Sequence, residues 1–223
     1  MMKLLKLIFV HALRVRFNVG SIWNFIYLNF ISTHVKGDYK KGNILIPYPN
    51  CVFDLRKDSL IELNAPFIIG MPSIKKSKKA SYLFMNEGAS FLVHKESSIV
   101  DGCDIQIHRN AIFEIDLFHS NTGLEVSCGN HVKLEGEVTC GRHVRIKDYN
   151  GHYVSYHKYP ISSPIYIKNH TWLCTGCTVG PGVTINEGAV VADNTNVVED
   201  VPAKTFCSGN PAVVLENNIE FKI

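Results

Sequence analysis

The sequence predicts an all-β solenoid, a parallel β-helix preceded by a short N-terminal helical and aromatic extension. Three observations predict it. Ile167, Leu173, Val179, Ile185, Val191 and Val197 recur at a spacing of six. Two residues ahead of the later members stand Thr171, Cys177, Val183, Ala189 and Thr195, all small or β-branched, and Val201 closes the series. Upstream, Val126, Val132, Val138 and Val144 run in parallel with Cys128, Leu134, Cys140 and Ile146 at the same spacing. A period of six is neither the 3.6 of a helix nor the 2 of an ordinary strand. It suits short strands joined by tight turns, three hexads to a triangular coil, with the spaced aliphatics stacked inside. Each buried Val, Leu or Ile contributes roughly 1.5–3 kcal/mol, so six in register favour one phase over any slipped one.

A chain of 223 residues with 46% hydrophobic content fits a solenoid with appendages. The expected division is an extension over 1–41, a β-helix over 42–215 with an irregular loop at 147–166, and a tail over 216–223. The net charge of +3 is unevenly spread. Lys3, Lys6, Arg14 and Arg16 precede any acidic residue, and Lys75-Lys76-Ser77-Lys78-Lys79 forms a second local cluster. Neither has the extent or aromatic interleaving of a nucleic-acid groove, so no nucleic-acid partner is expected. Seven cysteines, an odd number without a signal-peptide pattern, favour free thiols in a reducing cytoplasm.

Met1 to Phe17 reads as a basic amphipathic helix, with Leu4, Leu5, Ile8, Phe9, Ala12 and Leu13 on one face and Lys3, Lys6 and Arg14 mostly on another. It is too short to span a bilayer. Two readings stand: a helix docked on its own solenoid or a neighbouring subunit, or a peripheral foot on the inner face of a membrane. The aromatic run Ser21 to Ile31 reads as a cap or subunit contact, because a terminal coil leaves strand edges to cover. Short strands separated by Gly, Pro and Asn follow from Gly42 to Gly70. From Val93, Ile99 and Ile105 the inward spacing begins, shifting phase at Ile107 and Phe113. Cys128 and Cys140 fall in the inward series and serve there as small apolar residues.

Between Ile146 and Ile167 the hexads stop. The 21-residue gap reads as one coil of 18 plus three, a distorted turn or a small insertion. Its sequence, "KDYNGHYVSYHKYPISSPIY", holds Asp148, His152, His157 and four tyrosines before Pro164, with Gly151 permitting a sharp turn. Long irregular segments on regular scaffolds are disproportionately functional.

The stretch "IYIKNHTWLCTGCTVGPGVTINEGAVVADNTNVVEDVPAKTFCSGNPAVVL" resembles the hexapeptide-repeat acyltransferases of the O-acetyltransferase type. The resemblance rests on Trp172 before the coil turn, the Val179–Ile185 step, the Asp200-Val201-Pro202 exit and Gly209-Asn210-Pro211-Ala212. It implies a left-handed β-helix, an exception to the usual right-handed crossover. It further implies a homotrimer with clefts between solenoids, acetyl-CoA as donor and a saccharide or lipid-linked glycan as acceptor. His152 takes the family's general-base position, with Asp148 as its orienting partner. Trp172, Thr175, Gly176, Gly182, Gly209 and Asn210 fall where relatives line the cofactor. Tyr149, Asn150 and His157 are the acceptor-side candidates. Where relatives often carry Gly, this chain has Lys168, Cys174, Asn186, Ala192 and Val198, so less regular turns are expected there. Val213 and Val214 stand where relatives often carry a cation for the cofactor's phosphates. The chemistry asks for one base: an imidazole, ordinarily of pKa about 6.5, takes the hydroxyl proton for roughly 10²–10⁴ in rate.

Other readings stay open. Cys174 and Cys177 form C-x-x-C, but Cys177 fills a small inward slot and no second pair accompanies it, so no metal is expected. Gly151-His152 through His157 also matches the Gly-His-x4-His spacing of the γ-class carbonic anhydrases, with His119 the nearest third ligand. A non-catalytic glycan-binding solenoid is the remaining alternative.

Overall fold

The computed structural model describes residues 2–155 and 160–222. Three parallel sheets wrap one apolar interior. The first sheet stacks Val35–Gly37, Leu60–Leu63, Ser90–Val93, the front halves of Ile112–Ser120 and His131–Cys140, then Ile165–Ile167 and Thr184–Ile185. The second stacks Leu45–Pro47, Phe67–Met71, Ser97–Val100, the rear halves of those two long strands, Thr171–Leu173, Val190–Val191 and Thr205–Ser208. The third runs from Cys51–Leu55 through Ser81–Met85, Asp104–Ile107, Glu125–Cys128, Arg145–Lys147 and Thr178–Val179 to Asn196–Val197. The chain visits the three sheets in turn, coil after coil.

The hexad residues from Ile167 to Val201 form the interior, none more than 3% exposed. Ile167 pairs with Ile185 and Val179 with Val197, a constant step of 18. The expectation of less regular turns fails at Lys168, Cys174, Asn186 and Ala192 for a local reason, whereas at Val198 the turn is shorter, with Ile185 bridging Val201 only 16 positions on. The left-handed turn residue is His170, Gly176, Gly182, Gly188 and Asn194, every sixth position with φ between 54° and 80°. That place lies three residues after the inward aliphatic, so Lys168, Cys174, Asn186 and Ala192 occupy corners that do not demand glycine.

Both ends of the solenoid are covered, and both boundaries differ from the expected ones. At the start, Val35–Gly37 already pairs with Leu60–Leu63, so the β-helix begins before residue 42. Helix α1 (Met2–Arg14), helix α2 (Val19–Ile26) and a π-helical turn over Tyr27–Ile31 close that end. Asn29 acts as a surrogate strand: its amide accepts from Leu45 N and donates to Leu45 O, both at 2.8 Å. Ser21 donates to Pro47 O and Asn24 to Cys51 O. These side chains satisfy edge groups that would otherwise pair with another chain. At the far end, Val213–Asn217 turns back antiparallel onto Thr205–Ser208, continuing past residue 215, and Phe221 stacks on His170 at 4.3 Å.

Helix α1 inverts part of its expected amphipathicity. His11, Ala12 and Val15 are buried, and Leu7 and Ile8 pack against Phe25, Ile44 and Ile46. Leu5, Phe9 and Leu13 face away. Among the described residues no helix is long and apolar enough to cross a membrane.

Candidate functional site

The interrupted coil is a corner excursion. Leu134 pairs with Ile167 and Ile146 with Val179, each 33 positions on instead of 18. Fifteen residues are therefore inserted where the third sheet turns into the first. The expectation of one distorted coil is corrected: Ile146 and Ile167 lie on different sheets, where neighbours are normally six apart.

The excursion stands on an antiparallel neck. Tyr149 bridges Ser162, Asn150 N donates to Ile161 O at 2.7 Å, and Ser163 N donates to Asp148 O at 3.0 Å. The Asn150 side chain donates to Pro160 O, closing the same neck. Beyond it Gly151 turns with φ +81°, and His152, Tyr153 and Val154 are exposed. His157 lies outside the described residues.

Asp148 anchors the neck from inside. It is fully buried, and its carboxylate accepts from Gly129 N and from Asn130 N at 3.0 Å. Burial raises its pKa; the bonds from Gly129, Asn130 and His131 and the nearby His108 pull the other way. Its expected role as orienting partner of His152 is thus corrected: the carboxylate is spent on the 128–131 corner, facing the interior, while His152 is on the outside. Tyr149 lies against Gly129, where an added Cβ would stand 2.7 Å from it, and packs on His108 at 4.6 Å. Burial lowers the pKa of His108, opposed by the charge of Asp148.

The cofactor-side candidates divide between two places. Gly182 shares the loop's corner, its N–H bonded to Ser163 O at 3.1 Å. Gly209 and Asn210 close the top of the third sheet at the start of its last strand, where Asn196 N donates to Gly209 O and the Asn196 amide reaches Asn210 Oδ1; this is the side of the corner that holds Thr175 and Gly176, not of the loop. Thr175 and Gly176 lie at the corner between the second and third sheets. Their N–H groups go to Asp193 Oδ1 and Arg142 O, both at 2.8 Å. The N–H groups of Thr175, Gly176 and Gly182 are therefore taken by the coil and do not face a ligand as donors. Trp172 projects, half-exposed, from the second sheet, the one face that the loop's corner does not border. One protomer does not bring Trp172 to His152.

A polar group beside the loop escaped the sequence reading. On the outer side of the first sheet, Glu114 meets His131 at 2.9 Å, His94 at 3.4 Å and Lys133 at 3.7 Å. Burial alone would raise the Glu114 pKa, but the bond from His94, the charge of Lys133 and His131 hold it below the usual carboxylate value. Tyr166 packs edge-on against His131, and Lys168 sits over Tyr166. Sequence carried a signal in principle, since Glu114 and Lys133 occupy one row 19 positions apart, and only the addition of Tyr166 to that row requires the loop's length.

The cysteines are free and buried. Burial pushes Cys174 up to about 11 and Cys177 to about 12. Among the described residues no three potential metal ligands converge. His119 is bonded to Ser98 at 2.9 Å on the second sheet, so this candidate third ligand of the zinc reading does not stand beside His152.

No family model matches the chain. Part of it is 44% identical over 59 residues to the Escherichia coli (strain K12) protein named "Putative colanic acid biosynthesis acetyltransferase WcaF", covering 26% of this chain and 32% of that one. The matched segment thus spans about a third of that relative's length. Two solved structures share the left-handed β-helix. The polySia-specific acetyltransferase NeuO aligns over 80% of this chain and 71% of its own, at 19% identity and a TM-score of 0.56. A hexapeptide-repeat acetyltransferase of Vibrio cholerae O1 biovar eltor, complexed with acetyl-CoA, aligns over 58% of this chain and 72% of its own, at 25% identity and 0.51.

Proposed function

We propose that this chain, a hexapeptide-repeat protein of the acetyltransferase kind, moves the acetyl group of acetyl-CoA onto a hydroxyl of a saccharide in surface-polysaccharide synthesis. One observation carries the reading: a braced neck presents an exposed His152 at the corner where the regular coils and Gly182 begin.

In this reading His152 accepts the proton of the acceptor hydroxyl as its oxygen bonds to the thioester carbonyl carbon. The carbon–sulfur bond then breaks, and the imidazolium returns the proton to the leaving thiolate. No covalent acyl-enzyme is needed, because a thioester is already activated. Asp148 acts by fixing the neck, Tyr149 and Asn150 line the loop's acceptor side, and Glu114, His131 and Lys133 extend a polar acceptor surface along the first sheet. Thr175, Gly176, Gly209 and Asn210 would meet the donor's arm through side chains and carbonyls, since the corner N–H groups are engaged. The separation of Trp172 from His152 favours a homotrimer, in which one protomer's second sheet faces its neighbour's loop. Acetyl-CoA as donor favours a cytoplasmic site.

His152→Ala should lower kcat by about 10²–10⁴ with acetyl-CoA and candidate glycans, leaving donor affinity and Tm unchanged, because a base acts in the transition state. Turnover retained within a few fold would remove His152 from the chemistry. A stable monomer by light scattering would remove the shared cleft.

A further inference from the structure

The outer face of α1 is exposed among the described residues. Leu5, Phe9 and Leu13 recur every four residues, which sets them on one stripe, and they are 59%, 58% and 51% exposed. Phe17, just past the helix, and Ile74, on the neighbouring loop, are also exposed. Soluble monomers rarely leave a contiguous apolar patch of this kind uncovered. The helix is not loose: its other face is fixed by His11, Ala12 and Val15.

Beside the stripe lies a cavity of about 340 Å³, between the end of α1 and the 72–79 loop, with Arg14, Arg16, Lys75, Lys76 and Lys79 on its walls. Arg14, Arg16, Lys75 and Lys76 are exposed. The acid in the lining is Asp101, which is buried; its Oδ1 accepts from Thr122 Oγ1 at 3.1 Å, and its Oδ2 has no hydrogen-bond partner among the described residues. Lys79 is steadied by Thr122 Oγ1 at 3.1 Å.

We propose that this surface docks the protein on an anionic lipid bilayer, the stripe entering the acyl boundary and the cavity holding a phosphate-bearing headgroup. Charge selects the occupant. A second copy meeting this patch through a two-fold axis would set the same cations against each other, whereas an anionic leaflet neutralises them. With 13 residues, α1 lies along the interface and does not cross it. The proposal does not depend on the acetyl-transfer reading, and its test involves no turnover, so either can fail alone.

The test is co-sedimentation of the full chain with phosphatidylcholine vesicles, with and without phosphatidylglycerol, alongside light scattering. Wild type should bind the anionic vesicles at least about tenfold more tightly than the neutral ones. Lys75→Ser with Lys76→Ser should weaken anionic binding about 25-fold, fivefold per cation or about 1 kcal/mol each. Phe9→Ser with Leu13→Ser should weaken it at least about tenfold. All four positions are exposed, and an unchanged Tm checks the fold of each variant. Wild type that ignores vesicles, or that binds neutral and anionic ones alike, would overturn the proposal. A fall in oligomeric mass caused by Phe9→Ser with Leu13→Ser, without vesicle binding, would assign the stripe to a second copy.

Discussion

The coils on the two sides of the loop solve the same packing problem differently. After it, an aliphatic and a small partner repeat on every sheet, and a coil takes 18 residues until the last, where Ile185 bridges Val201 and Val191 pairs with Cys207, 16 positions on. Before it, large rings fill the interior: Phe67 meets Phe91 edge-on at 5.2 Å, and Phe91 stacks on Phe113 at 4.9 Å. There the coils lengthen, with Phe53 pairing with Leu83, 30 positions on. A triangular interior has a set volume, and rings fill it only if the sides and corners adjust. The regular half is held by many equal contributions; the irregular half depends on a few large shapes. Phe91→Ala should cost about 3–5 kcal/mol and lower Tm by about 10 °C. Ile185→Val, in the regular half, should cost about 0.5–1.5 kcal/mol. Equal losses by chemical denaturation would break the distinction.

The cap adjoining the irregular half carries a buried titratable group. His11 stacks on Phe25 at 4.3 Å, and its Nε2 lies 3.3 Å from Ser21 Oγ. The Ser21 proton goes to Pro47 O, so Nε2–H donates and Nδ1 is left buried without a partner. Burial pushes the His11 pKa down to about 4. The unfolded value is about 6.5, so the folded state binds fewer protons between the two. The stability held by the neutral ring is complete above pH 6.5 and is lost as pH falls toward 4, up to about 3 kcal/mol. Tm measured across that window should fall for wild type and stay flatter for His11→Leu.

How much was legible in sequence follows the same division. The interior from Val126 onward was readable residue by residue, because a hexad spacing maps directly onto a sheet. The turns misled, because family glycines after the aliphatic suggested the corner's need, while the left-handed residue stands three places on. The site was readable as a location, since an interruption with Gly151 and His152 stands out against a repeat. Asp148 was misjudged because nothing in a linear pattern distinguishes a carboxylate facing out from one satisfying Gly129 and Asn130. The Glu114 group depends on which residues share a row in the upstream coils, where Glu114 pairs with Lys133 19 positions on and the inward spacing shifts phase, which no local pattern encodes. Asp148→Asn tests the anchoring role. An amide offers one acceptor oxygen and turns N–H toward donors, so it should cost about 1–3 kcal/mol and loosen the neck. Turnover should fall with it, and faster proteolysis within 148–164 would mark the loosening. A normal Tm with lost activity would instead return Asp148 to the chemistry.

The smallest effect is expected where the regular half carries its most chemical-looking residues. Cys177 is fully buried and fills an inward slot, and Cys174 is 9% exposed at the adjoining corner. Burial raises their thiols, Cys174 to about 11 and Cys177 to about 12, which keeps both neutral at physiological pH, whereas an acyl-carrying or metal-binding sulfur acts as thiolate. Cysteine here performs the packing that Thr171, Val183 and Ala189 perform on neighbouring turns. Cys174→Ala with Cys177→Ser should therefore leave turnover within about tenfold, under roughly 1.4 kcal/mol of barrier. The serine hydroxyl in an apolar slot should cost about 1–3 kcal/mol of stability, and restoring Cys177 as Ala should recover most of it. Loss of turnover in a variant that melts normally, or an acetyl group trapped on either sulfur at competent rates, would show that even the most regular coils carry chemistry.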